Sequence, residues 1–278
     1  MLLRLLLLLA YLSTSQARPM TVNIVGESAK LLGRPYQRNP LGEGSQAYFD
    51  QAPSTRLDAF DCQTYVNTVL ALALTKKDEA YQNWLTRLRY HALPPRFLSR
   101  NHFVSTDLNP HWHRLHVTQD FTQILSKTHT KTSTAIIDKT SWLQHLPNTR
   151  VRLINNTPSE QHKRYQVLRA KHLPSQVSRI TYLPIQALFK NGKPNTPLLQ
   201  HIPSGTILEI VRPNWNLTLK MGTHLQVSHL GFVIHTTKGL MFRHAAYNKT
   251  VMDTPLIPYL SRYQNTNIGI HLELPRMP

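Results

Sequence analysis

The sequence predicts an α+β fold. Two observations carry that: a strong amphipathic helical segment opens at Cys62, and four strand-like segments crowd the C-terminal third, from Thr206 to Leu274. Helices first and antiparallel strands later is the pattern of that class. A third observation bounds it: no fixed-period repeat and no long low-complexity linker divides the chain, so residues 18–278 read as one domain with elaborations at about 95–203.

In chain order, Thr21 to Leu32 reads as an opening helix that Gly33-Arg34-Pro35-Tyr36 breaks into a polar loop. From Cys62, the residues Tyr65, Val66, Val69, Leu70 and Ala73 recur at the three-to-four spacing of one helical face, with Asp61 placed as the N-cap. A second helix is expected from Asp78 to about Tyr90. The stretch from Pro94 to Pro203 is mixed, with helical character near Ser159 to Lys171 and a few short strands. Strands are expected at Thr206–Val211, Leu225–His235, Leu240–Ala245 and Ile268–Leu274.

Met1 to Ala17 has the layout of a secretory signal peptide: Arg4, a leucine run from Leu5 to Leu12, then small residues at the −3 and −1 positions of a cut after Ala17. The run is shorter than the roughly 20 residues a membrane helix needs, so the mature chain is expected to have no transmembrane segment. Export to the periplasm follows as the expected location, with secretion as the alternative. Lysine and arginine outnumber the acids 32 to 14, a formal net charge of +18. The partner surface is therefore expected to be anionic. Nucleic acid is not the expected partner, because the basic residues are scattered and form neither a short basic block nor a reading helix. An anionic cell-envelope surface fits better.

Cys62 is the single cysteine of the chain. It can form no internal disulfide, so in an oxidising compartment it is either buried or used. Placed at a helix N-terminus it feels the positive end of the dipole and nearby N–H groups, which favour the thiolate. A cysteine nucleophile also needs a base and a group to orient it. The informative histidines are His229, in Val227-Ser228-His229-Leu230-Gly231-Phe232, and His244, in Phe242-Arg243-His244-Ala245, because both interrupt apolar strands. A hairpin through Thr236–Gly239 sets His244 opposite His229 if the loop is 236–237, and diagonal to it if the loop has four residues. Both imidazoles then share a face. Two satisfied histidines in a sheet, and a merely buried thiol, remain open on these residues alone.

Gly33-Arg34-Pro35-Tyr36, then Asp61-Cys62-Gln63-Thr64-Tyr65-Val66 running into Leu70-Ala71-Leu72-Ala73, then Ser99-Arg100-Asn101-His102-Phe103, then Ser228-His229-Leu230-Gly231-Phe232 and His244-Ala245 occur in one order along the chain. Together they resemble the N-acetylmuramoyl-L-alanine amidase-like branch of the NlpC-type, papain-like cell-wall hydrolases. The resemblance implies a papain-like core in which the cysteine helix packs on an antiparallel sheet, with a large insertion between nucleophile and histidine. It implies Cys62 as nucleophile, His229 as general base and then acid, His244 as its orienter, Tyr36 at the oxyanion site and Asp61 meeting a substrate amine. It also implies muropeptides as substrates and no cofactor. Ser204-Gly205-Thr206 stands where the family often has a Gly-Asp pair, which puts one loop contact in question.

Arg100, Asn101 and His102 are candidate substrate-binding residues, the arginine through a muropeptide carboxylate. The imidazoles of His111, His113 and His116 could approach a zinc ion, but no cysteine and no intervening acid accompanies them, so no metal is expected. The reading is an exported cysteine amidase that cuts between muramic acid, or its anhydro form, and L-alanine. The alternatives are a stem-peptide endopeptidase of the same superfamily and an inert wall-binding protein.

Overall fold

The computed structural model describes residues 20–76 and 79–278; the expected leader at 1–17 and the expected helix start at Asp78 lie outside them. Helices α1 (Met20–Lys30), α2 (Cys62–Leu74) and α3 (Tyr81–Arg89) come first. Short helices α4 (Asn109–Arg114) and α5 (Lys139–Gln144) and the longer α6 (Pro158–Arg169) occupy the middle, and α7 (Leu256–Ser261) lies near the end. Eight strands form one sheet: β1 (Thr118–Asp120), β2 (Lys131–Ile137), β3 (Gln176–Pro184), β4 (Ile207–Leu217), β5 (Thr223–Thr236), β6 (Gly239–Ala245), β7 (Val251–Pro255) and β8 (Gly269–Pro275). Their order is β2-β3-β8-β4-β5-β6-β7, with β1 on β8, and every pairing is antiparallel.

The fold is thus mixed helix and antiparallel sheet. The sequence places the C-terminal strands within a few residues, while β4 runs six residues past Val211 and β2 and β3 join the same sheet from the mixed region. In β2 the inward positions are Ser133, Ala135 and Ile137. Two of those three are small or polar, so the alternation that marks a strand is faint.

Helix α2 is more deeply placed than one apolar face predicts. Tyr65, Val66, Val69 and Leu70 are fully buried, and so are Thr68 and Ala71 on its other side. The helix is sandwiched between α1, α3 and strands β5 and β6, and its core cluster includes Leu230, Phe232 and Ile234 of β5. Each large apolar side chain removed from water there contributes about 2 kcal/mol. Asp61 caps the helix: its Oδ1 accepts from the Thr64 N–H at 2.8 Å, and the Thr64 hydroxyl takes the Asp61 N–H at 3.0 Å. Such a cap is worth about 1 kcal/mol, and it fixes where the first turn, and therefore Cys62, begins.

The β5–β6 hairpin settles the register. Thr236 pairs with Gly239 and Phe232 with Arg243. The turn is the two residues Thr237-Lys238, one position later than the two-residue loop considered above, and His244 stands diagonal to His229, across from Gly231. A Cβ on Gly231 would come within 2.6 Å of the Arg243 carbonyl oxygen and 2.7 Å of His244 Cβ, so a residue without a side chain is required for the strands to close beside the two histidines. The pair does not sit at a sheet edge: β7 covers β6.

Candidate active site

Cys62, the first residue of α2, is half-buried and faces a cavity of about 640 Å³. Tyr36, Asp61, Arg100, Asn101, His102 and His229 line the same cavity. His244 stands behind His229, its Nδ1 2.6 Å from His229 Nε2, and His244 Nε2 is 3.1 Å from the Thr254 hydroxyl on β7. With both rings neutral the chain can run in either direction, because the Thr254 hydroxyl both donates and accepts; in the direction a base requires, His229 Nε2–H donates to His244 Nδ1 and His244 Nε2–H donates to Thr254. That tautomer leaves the lone pair of His229 on Nδ1. Among the described residues no hydrogen bond joins Cys62 to His229; catalytic contacts of this kind often tighten only when substrate binds.

The position of His229 has a local cause. Ile210 pairs with His229 but Val211 pairs with Val227, so Ser228 is an extra residue in β5, a β-bulge directly before the histidine. The Ser228 hydroxyl donates to the Ile210 carbonyl at 3.2 Å. A bulge re-aims the side chains beside it.

The electrostatics correct one expectation. Burial first, and then the charge of Asp61, push the Cys62 thiol up to about 12, although the backbone N–H groups of Leu230, Gln63 and Cys62 itself act in the opposite direction. The backbone N–H groups at the helix start favour the thiolate, but burial of the sulfur, with the capping carboxylate one residue away, outweighs them. His229 is pushed down to about 3 by burial and then by His244, and His244 to about 4 by burial and the charges of Arg262 and Lys249. The resting site is therefore a neutral thiol beside a neutral imidazole pair. Burial foremost, helped by the Asp61 charge, raises the Tyr36 phenol well above its ordinary value, so it stays a protonated donor.

The other candidate residues fare differently. Asp61 uses both carboxylate oxygens within the chain, Oδ1 on Thr64 and Oδ2 on the Asn39 N–H at 3.1 Å. Arg100 ion-pairs with Glu43 and with Asp50, the latter at 2.9 Å. Its charge is neutralised inside the wall, which removes it as the receiver of a substrate carboxylate. Asn101 accepts from Gln63 through its backbone carbonyl at 2.8 Å and donates to the Leu88 carbonyl, tying α2 to α3. His102 lies against Phe97 and Trp142 with Nε2 2.7 Å from the Phe97 carbonyl, and burial, then the Arg100 charge, hold it well below its ordinary value. His111 and His113 point apart, to the Arg87 carbonyl and to Glu273. Among the described residues no three His, Cys, Asp or Glu side chains are arranged to hold a metal ion, and no helix is long and apolar enough to cross a membrane.

Sequence reasoning missed Thr254, the Leu230 N–H, and the cavity residues Arg38, Trp142, Arg150 and Tyr247. Thr254 and Leu230 carry no residue-type signal. Arg38 stands two positions from Tyr36 and could have been found by following that loop.

A family model for N-acetylmuramoyl-L-alanine amidase-like proteins matches residues 27–270. The chain belongs to that family. A Legionella pneumophila protein of known crystal structure is similar over 94% of this chain and 91% of its own, at 39% identity and a TM-score of 0.88. An N-acetylmuramoyl-L-alanine amidase from Bacteroides uniformis shares the fold at 22% identity, with a TM-score of 0.62 over 92% of this chain and 99% of that one. No curated protein matches the sequence.

Proposed function

We propose that this amidase-like protein is an exported cysteine hydrolase of peptidoglycan, acting in the periplasm on the amide between N-acetylmuramic acid, or its anhydro form, and L-alanine. The observation that carries the chemistry is the shared cavity of Cys62 and His229 with His244 hydrogen-bonded behind the base; family membership supports the substrate class, and the leader-like N-terminus supports export. The arrangement of a helix-borne cysteine against a histidine-bearing sheet is the basis for reading the core as papain-like.

Because thiol and imidazole are neutral at rest, His229 Nδ1 takes the proton from Cys62 as the sulfur attacks the substrate carbonyl. The resulting oxyanion is met by backbone N–H groups at the start of α2 and by the Tyr36 hydroxyl, donors of a kind worth about 3 kcal/mol each. The carbon–nitrogen bond breaks as His229 returns its proton to the leaving amine, leaving a thioester on Cys62. Water then attacks the thioester, His229 removes its proton, and the thiol is restored. His244 holds the ring of His229 in the tautomer this requires.

Incubation of the protein with defined muropeptides, read by mass, tests the reading. The expected product is intact stem peptide released from the sugar, with none from Cys62→Ala. A stem peptide lacking its first two residues would assign an endopeptidase instead. Absence of both products, with iodoacetamide labelling Cys62 no faster than a model thiol, would leave a wall-binding protein.

A further inference from the structure

Among the described cations lining the cavity, Arg38, Arg89, Arg150 and Lys220 make no ion pair; Arg89 is buried on the Gly42 and Ser54 carbonyls and Lys220 is exposed, which leaves Arg38 and Arg150. Arg150 donates from Nη1 to Asn39 Oδ1 at 2.6 Å, and Arg38 donates from Nη2 to the Tyr247 hydroxyl at 3.2 Å; both acceptors are neutral. Among the described residues neither guanidinium is in ion-pair contact with a carboxylate, whereas Arg56, Arg100 and Arg243 all are. Asp61 is the sole acid among the described residues lining the cavity, and both of its oxygens are engaged by Thr64 and Asn39. Arg150 is half-buried, and burial, followed by the charge of Arg38, lowers its hold on its proton. The two guanidinium groups are close enough to repel each other, and the Asp61 carboxylate offsets that only in part. Loss of water from such a group is costly unless an anion neutralises it. The planar fork of arginine matches a carboxylate in two-point contact. The wall also carries Trp142, Phe103 and Leu225, with Lys220 as an exposed cation.

We propose that Arg38 and Arg150 form an anion subsite that receives a free carboxylate of the substrate's peptide, so that the protein selects acidic stem peptides over amidated ones. The subsite rests on the reading of this cavity as an amide-hydrolase site. It takes over the role that Arg100, neutralised by Glu43 and Asp50, is unable to fill.

The test uses the Cys62→Ala protein, which holds substrate without cutting it, and two muropeptides that differ only in D-glutamate with a free α-carboxylate against D-isoglutamine with an amide. Calorimetric titration is expected to give a Kd about tenfold lower for the acid, an advantage that shrinks as salt is added. Adding R38Q and R150Q, which keep a donor for Tyr247 and Asn39, is expected to bring the two Kd values together. Equal Kd values on the parent protein, binding of neither ligand, or a preference that survives the double substitution would overturn the proposal. If the double variant does not fold, the comparison of the two ligands on the parent still decides. Failure of the hydrolase reading looks different: the native protein would bind the acid more tightly and cleave neither ligand.

Discussion

The molecule builds two groups of histidines into its sheet, around the buried His244 and the buried His271, and it treats them in opposite ways. On β5 and β6, His229 and His244 meet each other and a threonine, with no carboxylate in contact, and both are held neutral. On β8, His271 Nε2 lies 2.9 Å from Glu273, which also receives His113 at 2.8 Å, and Glu209 and Asp120 are close enough to act on it. Burial works against a charge on His271 just as it does on His229, yet the hydrogen bond to Glu273 and the neighbouring acids reverse the outcome and raise it. Burial does not decide whether an imidazole is charged; the partner does. A charged cluster is a fixed ion pair, whereas a neutral histidine pair can accept a proton and return it.

The largest expected effect separates the two groups by function. His229→Gln should reduce muropeptide turnover by about a thousandfold or more while leaving the thermal midpoint near its original value, because the base is lost and the ring is replaced by a polar side chain of similar reach. Turnover within tenfold of the native rate would sink the assignment. Glu273→Gln should do the reverse. It removes a fully buried carboxylate from the buried His271 and the exposed His113, a loss of about 3–5 kcal/mol in denaturant unfolding, with turnover per folded molecule unchanged. A smaller effect is expected from His244→Ala, about ten- to a hundredfold in kcat with KM little changed. His244→Asn, which can still accept from His229 Nε2–H, should recover part of it. Equal losses in the two variants would remove the orienting role.

The smallest effects lie in pH. A neutral His229 is the active base, and burial holds it at about 3, so kcat/KM should stay level well below pH 6.5 and fall only as pH approaches about 3. A limb near 6.5 in the pH–rate profile would show that the imidazole is not held down. Stability carries the same sign for this pair: between about pH 6.5 and 3 the unfolded chain binds more protons than the folded one, so each lowered histidine erodes stability as pH falls, by at most about 1.4 kcal/mol per unit. His271, raised above its unfolded value, contributes fully below about pH 6.5 and loses that contribution as pH rises. Glu209, held up to about 7 mainly by burial, loses its contribution between about pH 4.5 and 7, before the alkaline side is reached. Denaturant midpoints measured across pH should thus fall on both sides, with His271→Gln flattening the alkaline side only.

The neutral group was far more legible in the sequence than the charged one. His229 and His244 stand out because each interrupts an apolar strand, and Asp61-Cys62 announces a helix start by cap chemistry that is local in sequence. His271 and Glu273 alternate within β8 in the same manner, but what makes them a cluster is His113 and Glu209, brought from α4 and β4 by the sheet order. No local pattern encodes that. The state of the thiol was illegible for a related reason: the dipole of α2 is read from its first residue, whereas burial and the geometry of the Asp61 carboxylate emerge only when α1, α3 and β5 close around it. Arg100 misled because charge is visible in a sequence and neutralisation by Glu43 and Asp50 is not.

The single inserted residue at Ser228 divides β5 into two halves whose side-chain alternation is set independently. Downstream, His229 and Gly231 are fixed by their pairing with Ile210 and Leu208 of β4 and by the ring of His244; upstream, Val227 and Leu225 belong to the cavity wall. One residue gained or lost at the bulge would turn the upstream side chains to the other face of the sheet without moving the base. The strand is thereby partitioned into a half that must not vary and a half that can, so changes in what the cavity admits need not be purchased with changes in how it reacts.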